Sequence, residues 1–202
     1  MSVFRKIFGS NSDKSKDKSE KEEHHKFFPD ENAPVDEAFT MNFNNNGGKF
    51  LYCETIDEVK SNLEKIVEEN NWSDKTALIL NKRFKEKFKS FNFNITSKIE
   101  DADFLFTTCE YLIASDGSLL ICSNQIAEKK LAELPKDFIV FATTSQFVET
   151  ISAGLQGIKA QNKKNIPSNI TTIKHFKVDE TNNFLSYGSS SKNLYLLLLE
   201  DL

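Results

Sequence analysis

Residues 102–123 constrain this chain most. Two apolar runs, 111–114 and 119–122, flank Ser115-Asp116-Gly117-Ser118, and an Asp-Gly pair between alternating hydrophobics is a strong short-range signal for a tight hairpin with positive backbone angles. The sequence therefore predicts a β-hairpin at the heart of a sheet.

The flanking pattern predicts α/β. Residues 49–54 are strand-like, and Thr55 with Glu58 three residues later forms a capping box for a helix to about Asn70, with Ile56, Val59, Leu63, Ile66 and Val67 inward. A strand over 76–80 follows, then a helix capped by Asn81 with Phe84, Phe88 and Phe91 on one side, and a short strand at Ile95. Residues 124–134 read as a helix with Ile126, Leu131 and Leu134 inward, stopped by Pro135. Residues 138–143 form an apolar strand, after which Thr144 caps a long helix carrying Phe147, Val148, Ile151, Leu155 and Ile158. Strands over 170–176 and 193–199 complete the series, and the second is continuously apolar, as suits a strand covered on both faces. A Rossmann-like, mostly parallel sheet with a hairpin excursion is the expected architecture.

At 202 residues the chain fits one domain with an extension better than two domains. Residues 10–26 alternate Lys with Asp or Glu and carry almost nothing apolar, so residues 1–30 read as a charged tether and 31–202 as the domain. Val3, Phe4, Ile7 and Phe8 fall at helical spacing and could dock on a membrane surface or a partner; the plainer reading is a frayed terminus. Pro29 and Pro34 mark the approach to order, and 35–43 forms a short helix with Ala38, Phe39 and Phe43 inward.

A net charge of -4 supplies no general basic field for nucleic acid. Cys53, Cys109 and Cys122 are odd in number and set in apolar runs, which points to reduced, buried thiols. With no apolar run near the ~20 residues a membrane span needs and no signal-peptide pattern, the expected address is the cytoplasm. No Gly-x-Gly-x-x-Gly or Walker loop is present, and Gly154 and Gly157 read as helix positions allowing close packing. No cofactor is expected. His24-His25 is a poor chelate, read as solvated surface. His175 could act as a base beside Asp179 or Glu180, but reads better as a structural or surface histidine. Lys82, Arg83, Lys85, Lys87 and Lys89 read as the wet face of their helix. The paired acids Asp101 and Asp103 are spaced like loop charges. The hydroxyl-rich turns are the better ligand candidates: Asp116, Gly117 and Ser118; Ser168, Thr171 and Thr172; Gly188 and Ser189, where backbone amides and small hydroxyls suit an anion. Ordinary turn chemistry is the alternative.

Ile113-Ala-Ser-Asp-Gly-Ser-Leu-Leu-Ile121, then Leu131-Ala-Glu-Leu-Pro135, then the segment from Phe138 to Ile151 resemble, in order and spacing, the LUD domain of the lactate-utilisation protein C family. The run Asn165 to Ile173 resembles that family's Gly-Pro-Ser-x-Thr-Ala-Asp-Ile loop, and Tyr187 to Leu198 stands where it has Gly-Val-His-Gly-Pro before a final strand. The resemblance implies a fold similar to the NagB/RpiA/CoA-transferase-like group. It also implies association with L-lactate oxidation to pyruvate, as a non-redox subunit or assembly factor beside iron-sulfur partner proteins. A small anionic ligand, sugar-phosphate or CoA-like, is the alternative, bound or turned over. This chain lacks the Gly before Pro167 and the Asp of Thr-Ala-Asp-Ile, and carries Ser189 or Ser190 where the family has His, so it resembles a divergent branch. Formyltetrahydrofolate cyclo-ligases share the superfamily, but their glycine-rich signature is missing.

Overall fold

The computed structural model describes residues 33–88, 91, 93–176 and 192–201, all within the compact unit Asn32–Leu202. The tether, the first eight residues, His24-His25, Lys89, Asp179, Glu180, Gly188 and Ser189 lie outside the described residues.

The chain opens with α1 (Val35–Asn45), which ends where Asn44 to Gly48 breaks the pattern and Gly47 takes φ 86°. Strand β1 (Lys49–Cys53) leads to α2 (Ile56–Glu69) through the expected cap: Thr55 Oγ1 accepts from the Glu58 amide at 3.2 Å, while Glu58 Oε2 accepts from the Glu54 amide at 2.8 Å. Val59, Leu63, Ile66 and Val67 are buried as their spacing requires, but Ile56, in the first turn, is 46% exposed. Strand β2 (Thr76–Leu78), α3 (Lys82–Lys87) and β3 (Asn94–Thr96) follow, with Asn81 Oδ1 accepting from the Arg83 and Phe84 amides. Then come β4 (Phe104–Thr108), the hairpin β5 (Tyr111–Ile113) and β6 (Ser118–Ile121), α4 (Ser123–Ile126), β7 (Asp137–Thr143), β8 (Phe147–Val148), α5 (Ile151–Gln161), β9 (Thr171–Ile173) and β10 (Asn193–Leu199).

Six strands form a sheet in the order β1-β10-β7-β4-β2-β3, every pair parallel. Residues 194–198 of β10 are buried, because β10 lies between β1 and β7 and both its faces are covered. On one face, Phe104 and Phe106 of β4, Ile139 of β7 and Tyr195 and Leu197 of β10 meet α2, α3 and Trp72. Trp72 stacks on Phe104 with ring centroids 4.7 Å apart, and Phe84 and Phe88 each approach Phe106 at 4.8 Å. Each buried phenylalanine contributes on the order of 1.5–3 kcal/mol of transfer free energy.

The hairpin does not join this sheet. It forms the centre of a second, four-stranded sheet, β8-β5-β6-β9, through which the chain passes between β4 and β7 and again between β7 and β10. Helix α1 ties the two sheets: Asn42 Nδ2 donates to Ala114 O at 2.8 Å, Asn46 Nδ2 to Asp116 O at 2.7 Å, and Phe43 meets Phe176 at 4.8 Å. Only Gly117 takes a positive angle in the hairpin turn (φ 67°), so the turn needs one such residue rather than the pair.

Two expected helices are corrected. Ala127 takes φ 52°, which ends α4 after Ile126; the rest of 124–134 is loop and a 3-10 turn at Leu131–Glu133. Thr144 does not cap a long helix. A 3-10 turn, Thr144–Gln146, leads into β8, whose Phe147 and Val148 pair with β5, and Thr150 Oγ1 caps α5 by accepting from the Ala153 amide. Helix α5 therefore turns Ile158 inward and leaves Ile151 37% and Leu155 41% exposed. Gly154 and Gly157 do allow close packing: a Cβ on Gly154 would meet Leu120 Cδ2 at 2.9 Å, and one on Gly157 would overlap the Tyr111 hydroxyl. The three cysteines are free and buried. Among the described residues no helix is long and apolar enough to cross a membrane.

Candidate functional site

The chain runs outward from β2 to β3, then returns to place β4 on the other side of β2 and continues through β7 to β10. Strand order thus reverses between β2 and β4, and in open α/β sheets ligands bind beyond the carboxyl ends of the strands at such a reversal. A cleft of about 620 Å³ lies there, lined by Asn81, Lys82 and Arg83 after β2, Thr108, Cys109 and Glu110 at the end of β4, Phe141 and Gln146 at the end of β7, and Asn124 and Gln125 of α4.

Glu110 is its anchored carboxylate. The Glu110 amide donates to Leu120 O at 2.8 Å, and its carbonyl accepts from Gln146 Nε2 at 3.1 Å. Oε1 accepts from Cys122 Sγ, Asn124 Nδ2 and Gln125 Nε2, each at 3.0 Å, while Oε2 has no protein donor among the described residues. Burial alone would raise the Glu110 pKa, but these three donors outweigh it and hold the carboxyl below its ordinary value, so Glu110 is an anion at neutral pH.

The surrounding amides are rigidly held. Gln146 Oε1 accepts from the Thr143 amide at 2.8 Å while Nε2 donates to Cys109 O at 2.6 Å, which locks the end of β4 to the end of β7. The turn carrying Gln146 is fixed by Asp201, which accepts from the Ser145 amide and the Thr144 hydroxyl at 2.9 Å and from the Ser145 hydroxyl at 2.7 Å. Lys82 and Arg83, both exposed, line the same cleft as Glu110 and pair with no described carboxylate.

The neighbouring thiols are not activated. Burial pushes Cys109 far up, with the charge of Glu110 adding to the effect, and burial with the Glu110 acceptor pushes Cys122 up to about 12. The cleft therefore offers charge and hydrogen-bonding groups to a ligand but no thiolate nucleophile. The described residues contain no group of three or more His, Cys, Asp or Glu able to hold a metal ion.

The sequence candidates lie elsewhere. Asp116 Oδ1 accepts from the Ser118 hydroxyl at 2.6 Å and the Ser118 amide at 3.1 Å, its Oδ2 stands 3.5 Å from Lys174 Nζ, Ser118 is fully buried, and Gly117 abuts the backbone of α1. That turn is occupied by its own contacts. The Ser168 hydroxyl donates to Glu128 and its carbonyl accepts from the Ser123 amide at 2.9 Å. Thr171 and Thr172 line a second cavity, a groove of about 730 Å³ shared with His175, which sits among lysines there rather than beside a described acid. None of the six described candidates lines the cleft. Lys82 and Arg83 lie on the wet face of α3 as their spacing suggests, and the same exposure opens them to the cleft. The signal available in the sequence was position: a cap residue and two cations directly after the apolar strand at 76–78.

Comparison with known proteins gives three findings. A family model described as the LUD domain matches residues 37–198. No curated protein matches the chain. Among solved structures, the chain is similar to a DUF162 family protein from Deinococcus radiodurans, with 12% sequence identity, 83% of this chain and 96% of that chain covered, and a TM-score of 0.58. At that identity the likeness speaks to the fold.

Proposed function

The chain belongs to the LUD domain family, which is associated with lactate utilisation, and we propose that it serves L-lactate oxidation to pyruvate as a subunit or assembly factor without redox chemistry of its own. In this reading it works beside iron-sulfur partners and holds a small carboxylate in the cleft at the strand reversal. The observation that carries the proposal is that Lys82 and Arg83, which pair with no described carboxylate, line one cleft with a Glu110 whose Oε2 has no donor among the described residues. A 2-hydroxy acid supplies the complementary groups: its carboxylate meets the Arg83 fork, and its hydroxyl donates to Glu110.

Calorimetric titration of the full chain with L-lactate and with pyruvate tests this, alongside Arg83→Ala and Glu110→Gln. Saturable binding weakened by both substitutions is expected, with Glu110→Gln costing more for lactate than for pyruvate, which has no hydroxyl to donate. Recovery of iron-sulfur proteins with the tagged chain tests the assembly role. Silence with both acids, together with recovery of no such partner, would refute the reading.

The size of the cleft favours a second reading. At about 620 Å³ it would leave most of its space to water around a three-carbon acid and suits a sugar-phosphate or CoA-like anion, well within the range of small-molecule sites. Saturable binding of such an anion, with lactate silent, would select this alternative.

A further inference from the structure

The second cavity is built from different material. Its ten lining residues are Lys129, Lys130, Leu131 and Ala132 on one wall and Asn169 with 171–175 on the other, so three lysines and a histidine meet with no carboxylate among them, in a chain whose net charge is -4. Neighbouring acids that do not line it are already engaged: Asp116 with the lining Lys174, Glu128 with Ser168, and Glu133 with the Lys130 amide. Successive side chains of a strand point to opposite faces, so a cavity that touches five consecutive residues from Thr171 to His175 runs along the edge of β9 rather than over one face.

Among the described residues β9 pairs only with β6, as the last strand of its sheet, so its other edge meets no described strand. Leu120 O accepts from the Glu110 amide, so the polar backbone of Leu120 faces away from β9; alternation turns that of Leu119 and Ile121 toward it, where they meet Ile173 and Thr171. The same alternation turns the N–H and C=O of Thr172 outward, and they find no partner among the described residues. A lysine-rich edge is also what a protein uses to keep strands from pairing by accident. Here, however, lysines stand on both walls of a groove of about 730 Å³.

We propose that this groove binds an extended acidic segment of a partner protein, laid as an added strand along β9. Main-chain bonds to Thr172 set its register, and alternate acidic side chains reach Lys129 and Lys130, Lys174 being held by Asp116. The association is weak and salt-sensitive, since the strand offers few backbone bonds and the cations are largely exposed.

Fluorescence anisotropy of the full chain with a labelled heptapeptide alternating Glu and Val is the test, at low salt. Comparison probes are the same peptide N-methylated at alternate residues, a Lys-Val counterpart, and inorganic phosphate as competitor. Saturable binding of the acidic peptide is expected, weakened about tenfold or more by N-methylation and by joint Lys129→Glu and Lys130→Glu substitution, and absent for the Lys-Val peptide. Both lysines are exposed, so the double variant retains its fold, which circular dichroism checks. No binding at millimolar protein would overturn the proposal and leave the lysines as guards of an edge. Equal affinity for the N-methylated peptide, or full displacement by millimolar phosphate, would also overturn it, the first indicating charge alone and the second a small-anion site.

Discussion

Replacing Gly117 with alanine tests whether the hairpin turn is a structural joint or a ligand loop. Gly117 holds φ 67°, where alanine costs about 1 kcal/mol or somewhat more. An added Cβ would overlap the Phe43 amide nitrogen and the Asn42 carbonyl carbon, and would stand 2.8 Å from Asn42 Cβ. These are backbone and near-backbone atoms of α1, a helix pinned by Phe39 and Phe43 at 0% exposure and by the Asn42 and Asn46 bonds to the turn, so nothing nearby rotates away. Forcing such an overlap adds roughly 1–3 kcal/mol. The expected destabilisation is therefore about 2–4 kcal/mol, read as a fall in the urea midpoint of about 1–2 M at a slope near 2 kcal/mol/M. Gly117→Asn, which tolerates the angle but keeps the Cβ, should lose less stability than the alanine variant while remaining clearly less stable than the parent. A Gly117→Ala variant within about 0.5 kcal/mol of the parent would refute the packing of α1 on the hairpin.

Three further outcomes are expected. Because Glu110 titrates below its ordinary value in the folded state, its stabilising contribution is complete above about pH 4.5 and is lost as pH falls through the folded value. The parent should therefore lose more stability than Glu110→Gln between neutral pH and pH near 3, and identical acid profiles would contradict the Oε1 network. Lys192 donates to Leu134 O and Pro135 O, and burial lowers its pKa from 10.5 to about 8, so the folded state gives up this proton before the unfolded chain does. Stability should accordingly rise in the parent relative to Lys192→Met as pH climbs from about 8 toward 10, checked by urea midpoints at the two ends; equal slopes would contradict it. Finally, Cys109 and Cys122, buried and held as thiols, should resist Ellman's reagent at pH 8 until denaturant is added, and rapid labelling of either in the native chain would show the end of β4 to be open.

Where a segment carries its own period, its place in the fold was legible. The spacing of Val59, Leu63, Ile66 and Val67, with Thr55 before them, specifies α2, and the unbroken run at 194–198 specifies a strand covered on both sides. Phe147 and Val148 misled because Thr144 and Thr150 both suit an N-cap; only parallel pairing with β5, a tertiary fact, makes two of the intervening residues a strand. Ala127 gives no sign of its positive angle, so the end of α4 was hidden. The hairpin was visible but its sheet was not, since local alternation does not say which strands will neighbour it. The cleft was the least legible part. Arg83, Glu110, Gln125 and Gln146 come from four separate connections, and only the reversal of strand order between β2 and β4 brings them together.

The most direct test of the cleft is a residue-resolved titration of the full chain by two-dimensional amide NMR, first with L-lactate and then with ribose 5-phosphate. One of the two should move the amides of Thr108, Cys109, Glu110, Gln125 and Gln146 saturably, with the Arg83→Ala variant shifting the curve to higher concentration. Shifts confined to the groove at 171–175, or none with either compound, would contradict it.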